Sequence, residues 1–192
     1  MPKTPRTAPP PSPNVWSDDR TLDPGARPPQ GPLTGRPGRL TDMPFLLRQE
    51  ERPEVVSLVP SWPKDRHWRA MSDPDHQYIL FQDAEERVVG YVVLGGLTNG
   101  DGCLELVRMV AAPPGFGTGT AMARAVLAHA FGPLGAHRVG LSLFSDNACA
   151  RRLFANVGFV LEGKLRDAVR GPRGYRSLTL MGMLRRDYQS GF

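Results

Sequence analysis

The chain has 192 residues, 40% of them hydrophobic, and a formal net charge of +5. This length leaves room for one domain of ordinary size with a tail. Neither a run of 18 apolar residues nor an apolar leader is present, so the sequence predicts no membrane span and no secretory signal. Two widely separated cysteines, Cys103 and Cys149, favour a reduced, cytoplasmic protein, and no Cys/His cluster has metal-ligand spacing.

The composition changes near residue 42. Eleven of the 20 prolines lie within residues 1–40, and proline lacks the backbone donor that helices and sheets require. The same stretch holds six basic and three acidic side chains, so the remainder is nearly neutral and nucleic-acid binding is not indicated for it. We therefore expect a disordered Pro-rich tail at residues 1–42 and a single domain at residues 43–192.

The domain alternates strand-like and helix-like segments. In chain order we predict a strand at 45–48, one or two helices within 53–71, an antiparallel hairpin of strands at 77–81 and 88–97, a strand at 104–112, a helix at 120–134, a strand at 138–144, a helix at 147–157, and two final strands at 159–169 and 175–184. A mixed order of this kind predicts an α/β fold, with helices on both faces of one sheet.

A glycine-rich loop, Gly115-Phe116-Gly117-Thr118-Gly119-Thr120, joins a predicted strand to a predicted helix. Glycine lets the backbone approach a ligand closely, and the free N–H groups at the start of a helix attract anions such as a diphosphate. A tight connection without a ligand explains the loop equally well. The absence of Gly-Lys-Ser/Thr and of Gly-x-Gly-x-x-Gly spacing excludes a Walker A loop and a dinucleotide fingerprint.

From the strand before this loop onwards, the sequence resembles the GNAT superfamily of N-acetyltransferases. The loop is similar to the family's Gln/Arg-x-x-Gly-x-Gly/Ala signature, with Pro114 in the first position. The resemblance extends over three further segments in the family's order: Glu105–Val110, Asn147–Phe159, and the run Leu161–Asp167 followed by Tyr175, Arg176 and Met181. The last of these is similar to the branch that acetylates the N-termini of ribosomal proteins.

The resemblance implies a twisted, mostly antiparallel sheet in which the strand ending near Val110 splays from the strand beginning near Arg138. It implies acetyl-CoA as co-substrate, with the pantetheine arm in the gap between these strands. The residues it implies for binding the co-substrate are Met109 and Val110 through their backbone, Gly115, Phe116, Gly117, Thr118, Gly119 and Thr120 around the pyrophosphate, Asn147 at the pantetheine, and Phe154 against the thioester.

The implied reaction is direct attack of an amine on the thioester. Because amines with pKa values of about 8 to 10 are protonated at neutral pH, a base is needed. Glu105 is the candidate for this role, although a residue that pairs with Arg108 or lines the sheet would look the same in sequence. The backbone N–H of Val110 is the candidate donor to the developing oxyanion.

Phe154 occupies a position at which many family members carry a tyrosine that protonates the leaving thiol. Phenylalanine has no proton to donate, so this role is not carried over. A thiol with a pKa of about 8.5 can leave as the thiolate. Tyr175 or Ser145 could supply a donor instead, but strand packing and helix capping account for them more simply.

The resemblance leaves the acceptor open between a protein N-terminus and a small amine. The alternative function is a GNAT module that binds acyl-CoA without turnover, and the phenylalanine at position 154 is its main support. The basic hairpin residues Arg166, Arg170, Arg173 and Arg176 would suit an acidic acceptor, although solvated arginines are the ordinary explanation. We expect no metal and no membrane partner, and the family makes a homodimer possible.

Overall fold

The structure is a computed structural model that describes residues 27–113, 115–171 and 174–190. Its centre is a seven-stranded sheet made of β1 (Thr34–Pro37), β2 (Gln77–Gln82), β3 (Val88–Gly95), β4 (Cys103–Ala111), β5 (Arg138–Phe144), β6 (Val160–Gly171) and β7 (Gly174–Leu184). The strand order is β1-β2-β3-β4-β5-β7-β6, and all neighbours are antiparallel except β4 and β5.

The described helices are α1 (Met43–Glu50), α2 (Pro53–Val56), α3 (Lys64–Ser72), α4 (Thr118–Phe131), α5 (Ala148–Asn156) and α6 (Arg185–Gln189), with a 3-10 turn at Leu40–Asp42. The mixed fold, with one mostly antiparallel sheet between helices, is therefore the one predicted. The expected tail falls for residues 1–26 outside the described part of the chain.

Strands β2 and β3 are buried on both faces of the sheet, and successive side chains of each strand point to opposite faces. Ile79 and Phe81 of β2 join the core under α4 and α5, on what we call the α4 face. Tyr78 and Leu80 join a second core under α1–α3, on what we call the α1 face. Strands buried on both sides read as continuous apolar runs, as β2 and β3 do.

Two predictions near the start of the domain are wrong. Residues 45–48 are not a strand but part of α1, whose buried residues Met43, Leu46 and Glu50 have helical spacing. A run of three apolar residues, Phe45 to Leu47, fits either structure, and Pro44 in the first turn favours the helix. The domain also begins before residue 43, because Thr34–Pro37 pairs with β2 as an edge strand, a place that tolerates proline.

A β-bulge interrupts β4. Val93 of β3 pairs with Arg108 and the next residue, Leu94, pairs with Leu106, so Val107 is the extra residue. The bulge changes which side chains reach each face. Leu104 and Leu106 lie in the core of the α4 face, whereas Val110 lies in the core of the α1 face.

Beneath the bulge, on the α1 face, Glu50 is buried with only 2% of its surface exposed. Its Oε1 accepts hydrogen bonds from Tyr91 Oη at 2.6 Å and from His67 Nε2 at 3.0 Å. Its Oε2 accepts from the backbone N–H of Trp62 at 2.6 Å. Arg108 Nη2 lies 2.6 Å from Oε1 as the counter-charge. One carboxylate thus connects α1, α3, β3, β4 and the segment that precedes α3.

Arg108 is equally buried and completes this cluster. Its Nη1 donates to the carbonyl of Pro60 at 2.8 Å, and its guanidinium lies 4.7 Å from the ring centroid of Trp62. Arg108 Nε has no hydrogen-bond partner among the described residues. Because an unpaired buried cation is costly, the position of Arg108 depends on Glu50.

The pKa of Glu50 lies below its ordinary value. Burial by itself would raise it, but the bonds from His67, Trp62 and Tyr91 and the charge of Arg108 together outweigh burial. Glu50 is therefore ionised in the folded protein at neutral pH, and its ionisation favours folding.

Replacing Glu50 by alanine should lower the free energy of unfolding by about 3–5 kcal/mol, because Arg108 would stay buried without its counter-charge. Urea denaturation followed by circular dichroism measures the change. Glu51→Ala, at the exposed neighbouring position, is the matched control and should change stability by no more than about 0.5 kcal/mol. Equal effects of the two variants would contradict the assigned role.

The same carboxylate should give a pH signature. A folded pKa below the unfolded one means that the stabilisation is present above the unfolded value and is lost as the pH falls. The stability difference between the wild type and Glu50→Gln should therefore shrink from about pH 6 to about pH 3. The other carboxylates are present in both proteins, so their contributions to the pH dependence of stability cancel in the difference. A difference that is independent of pH would show that Glu50 is not ionised in the fold.

Candidate active site

The sheet opens between β4 and β5. The two strands pair only through Cys103–Arg138, Leu104–Val139 and Glu105–Gly140. Beyond these pairs, β4 stays with β3 as far as Ala111, while β5 stays with β7 over its whole length. The predicted splay is confirmed, and it leaves a gap lined by a free backbone edge of β4.

The alternation of backbone bonds shows which β4 residues face this gap. Ala112 N–H donates to the carbonyl of Val89 at 2.8 Å, and Tyr91 is opposite Val110. Hydrogen-bonded pairs alternate along an antiparallel ladder, so Val110 also bonds to β3. Consequently Met109 and Ala111 direct their N–H and C=O groups into the gap.

This geometry supports one of the two predicted backbone contacts and corrects the other. Met109 presents its backbone to the gap, as expected. The N–H of Val110 points to β3, so it is not the oxyanion donor that the sequence suggested, and Ala111 takes its place as a gap-facing residue. The sequence does not show which β4 residues direct their backbone groups to β3 and which to the gap, because this depends on the pairing register and on the bulge.

The glycine loop leads from the gap into α4. Gly115 and Gly117 have φ values of 101° and 76°, in the left-handed region that favours glycine. Gly117 is the N-cap residue of α4 and no side chain caps the helix, so the first-turn N–H groups of Thr118, Gly119 and Thr120 are free of helical partners. A Cβ on Gly117 would meet nothing within 4 Å, which leaves open space in front of these donors.

Thr118 supplies a further sign of a ligand site. Its side chain is 3% exposed, and its Oγ1 has no hydrogen-bond partner among the described residues. A buried hydroxyl without a partner is unusual and fits a site that an anionic group completes. The loop therefore has the donors and the helix dipole that a diphosphate requires. Phe116 is half-buried beside them, and Pro114 lies outside the described residues.

The remaining predicted contacts have structural roles that the sequence did not separate from ligand binding. Gly119 lets α4 approach α5, because a Cβ there would lie 2.9 Å from Leu153 Cδ1. Asn147 caps α5 by accepting from Ala150 N–H at 3.0 Å, which leaves its amide N–H₂ to donate. Phe154 is 6% exposed and packs edge-on against Phe159 in the core of the α4 face.

Glu105 lies at the apex of the gap, in the last pair that joins β4 to β5. Its side chain is exposed on the α1 face, because Leu104 and Leu106 on either side of it point into the α4-face core. The alternative that it pairs with Arg108 is not what the structure has, since Arg108 bonds to Glu50 and Pro60. Glu105 is therefore an accessible carboxylate at the point where the strands part.

Two further features bear on the class of protein. Within residues 27–113, 115–171 and 174–190, no group of three or more His, Cys, Asp or Glu side chains is arranged to hold a metal ion. In the same part of the chain no helix has the length and apolar character needed to cross a membrane.

An open strand pair followed by an anion-binding helix start is the arrangement of an acyl-CoA-dependent acetyltransferase. The acetyltransferase (GNAT) domain family matches residues 33–160, which is more than half of the chain. The protein therefore belongs to the GNAT family and is an N-acetyltransferase by class.

Solved structures of the same fold include enzymes from Vibrio cholerae. A mutant form of its spermidine/spermine N-acetyltransferase has a TM-score of 0.72 and 21% identity, over 82% of this chain and 96% of that chain. The spermidine N-acetyltransferase solved with CoA and spermine has a TM-score of 0.74 and 22% identity, over 82% of this chain and 98% of that chain. Identity at this level establishes a shared fold and leaves the acceptor of this protein undetermined.

If the loop holds a diphosphate, Gly117→Glu should weaken acetyl-CoA binding by about tenfold or more, because it places an anion and a Cβ in front of the free N–H groups. Isothermal titration calorimetry measures the affinity. Gly117→Asn, which tolerates left-handed backbone without adding charge, should lose less.

Gly100→Glu is the matched control, since a Cβ at this exposed turn also meets nothing within 4 Å. It should bind acetyl-CoA as the wild type does. Unchanged affinity in Gly117→Glu would remove the loop from the binding site.

Proposed function

We propose that this protein transfers an acetyl group from acetyl-CoA directly to a primary amine. The observation that carries the proposal is the combination of the open strand pair, the uncapped start of α4 and an accessible carboxylate at the apex of the gap. Family membership supports the reaction class. Acetyl-CoA supplies an activated thioester, and the protein binds it, orients it and manages the protons.

The chain offers separate groups for each part of the co-substrate. The N–H groups of Gly115 to Thr120 and the Thr118 hydroxyl are placed to hold the pyrophosphate. The free edge of β4 at Met109 and Ala111 can pair with the amide groups of the pantetheine arm as an added strand would. The amide of Asn147 is left to donate to the same arm, and Phe154 provides apolar packing behind it.

Glu105 is the proposed general base. An ammonium group must lose a proton before its nitrogen can attack, and Glu105 is placed to accept that proton directly or through water. A gap-facing N–H of β4, from Met109 or Ala111, is the proposed donor to the negative charge that develops on the thioester oxygen.

The departing sulfur has no acid at Phe154. Ser145 has a proton left to donate, because its Oγ accepts from Thr179 Oγ1 at 3.0 Å. Tyr175 lies at the end of the β6–β7 hairpin with 65% of its surface exposed. Departure as the thiolate needs no donor, since the thiol pKa of about 8.5 is close to neutral pH.

Thiol release from acetyl-CoA in the presence of primary amines tests the reaction. Glu105→Gln should lower kcat/KM by about 10²–10⁴-fold, the usual contribution of a general base, while acetyl-CoA affinity stays the same. Glu85→Gln, at an exposed turn, is the control and should be as active as the wild type.

Tight acetyl-CoA binding without thiol release for any amine would favour the non-catalytic module instead. Full activity in Glu105→Gln would show that Glu105 is not the general base and only lines the sheet. The disordered tail, the cytoplasmic location, the homodimer and the ribosomal-protein branch stay predictions.

A further inference from the structure

A recess lies on the α1 face of the β5–β7–β6 half of the sheet, and none of its lining residues belongs to a helix of the described part of the chain. It has a volume of about 440 Å³ and adjoins the apex of the gap, because Glu105 and Gly140 form part of its wall. A volume of this size suits a small molecule or a terminal residue of a peptide. An amine in this recess would lie beside Glu105, the proposed base.

Two glycines give the recess its shape. Gly140 of β5 and Gly182 of β7 are directly opposite each other in the ladder. A Cβ on Gly182 would collide with both Arg138 and Glu162, and a Cβ on Gly140 would lie 3.4 Å from Arg138. The ion pair of Arg138 with Glu162 therefore lies flat on this glycine pair and forms one end of the recess.

The charges of this ion pair cancel. Arg138 makes two parallel contacts of 2.5 Å with the two oxygens of Glu162, the bidentate geometry that favours such pairs. Glu105 is the other charged residue of the lining, and it forms no ion pair within the described part of the chain. The recess consequently offers one uncompensated negative charge.

The opposite wall is apolar. Leu165 of β6 and Leu178 of β7 are cross-strand partners, and Leu180 lies two residues further along the same face. Arg176 of β7, two residues before Leu178, is also paired, because it donates to Asp146 at 2.6 Å and to the carbonyl of Ser57 at 2.9 Å. A cation placed against these leucines would lose hydration without gaining a partner.

We infer that the acceptor bound here is a primary monoamine whose nitrogen meets Glu105 and whose adjoining apolar group packs on Leu165, Leu178 and Leu180. This inference rests on the proposed function and narrows its substrate. A polyamine carries further ammonium groups, for which the recess provides leucines and Glu162, a carboxylate already paired with Arg138. The acceptor class therefore differs from that named for the Vibrio cholerae enzymes of the same fold.

The test compares kcat/KM for thiol release with three acceptors: 2-phenylethylamine, a peptide with a free N-terminal leucine, and spermidine. One or both monoamines should exceed spermidine by roughly tenfold or more. The first two acceptors distinguish a small amine from a peptide terminus. A preference for spermidine, or equal use of all three, would overturn the inference.

Leu180→Glu provides the complementary test, because it adds to the recess a second carboxylate that has no ion-pair partner. It should raise kcat/KM for spermidine relative to the preferred monoamine by roughly fivefold or more. Leu161→Glu is the matched control: Leu161 is 62% exposed, belongs to the same hairpin and pairs with Met181 of the α4 face, so the ratio should stay at the wild-type value. An unchanged ratio in a folded Leu180→Glu protein would overturn the inference.

Acetyl-CoA affinity and melting temperature, measured for every variant, separate this inference from the proposed function. If the protein binds acetyl-CoA and turns over but prefers spermidine, only the inferred acceptor class is contradicted. Loss of acetyl-CoA binding by the wild type contradicts the proposed function itself. Should Leu180→Glu fail to fold, Leu178→Glu carries the same test, with the same expected and contradicting results.

Discussion

The arrangement of the active site depends on the ion pair between Glu50 and Arg108. Arg108 adjoins the bulge of β4, and its charge is held under α1 by a carboxylate that also accepts from His67, Tyr91 and the backbone of Trp62. Breaking such a pair leaves a buried charge, so the position of this part of β4 is strongly constrained. A hydrophobic replacement of the whole cluster could be as stable, but it would not fix the strand through directed bonds.

The bulge explains how β4 pairs with β5 only at its start and with β3 as far as Ala111. Before it, β4 pairs with β5 and sends leucines into the α4-face core; after it, β4 pairs only with β3 and leaves an edge open. An extra residue twists a strand and re-aims its side chains. The two halves of the sheet can therefore part at Glu105 while each half keeps its own ladder and its own packing.

Much of the fold was predictable because its signals are local. The glycine loop, the apolar periodicity of α4 and the β2–β3 hairpin each lie within a short window, and the structure confirms the helix and the hairpin. The strand predicted at 45–48 failed because three consecutive apolar residues do not distinguish a strand from a helix. Residues 34–37 were assigned to the tail because composition does not show that an edge strand can contain proline.

The site was predictable only in part, because its decisive features are long-range. The buried cluster draws its residues from four separate elements: Glu50, His67, Tyr91 and Arg108. Their spacing in the sequence does not predict that they meet. The exchange of Val110 for Ala111 at the gap follows from ladder parity, which the sequence does not reveal. Gly119, Asn147 and Phe154 matched family positions, yet their packing and capping contacts appear only in three dimensions.

The Gly140–Gly182 pair has a consequence for how acceptor choice can diverge between related proteins. It lies on the opposite side of the sheet from α4, whose first turn supplies the donors proposed for the pyrophosphate. A methyl group at Gly182 would collide with the Arg138–Glu162 bridge and reshape the proposed amine pocket, while the glycine loop before α4 stays unchanged. One or two small substitutions can therefore change which amine is accepted, while the groups proposed to bind acetyl-CoA stay the same.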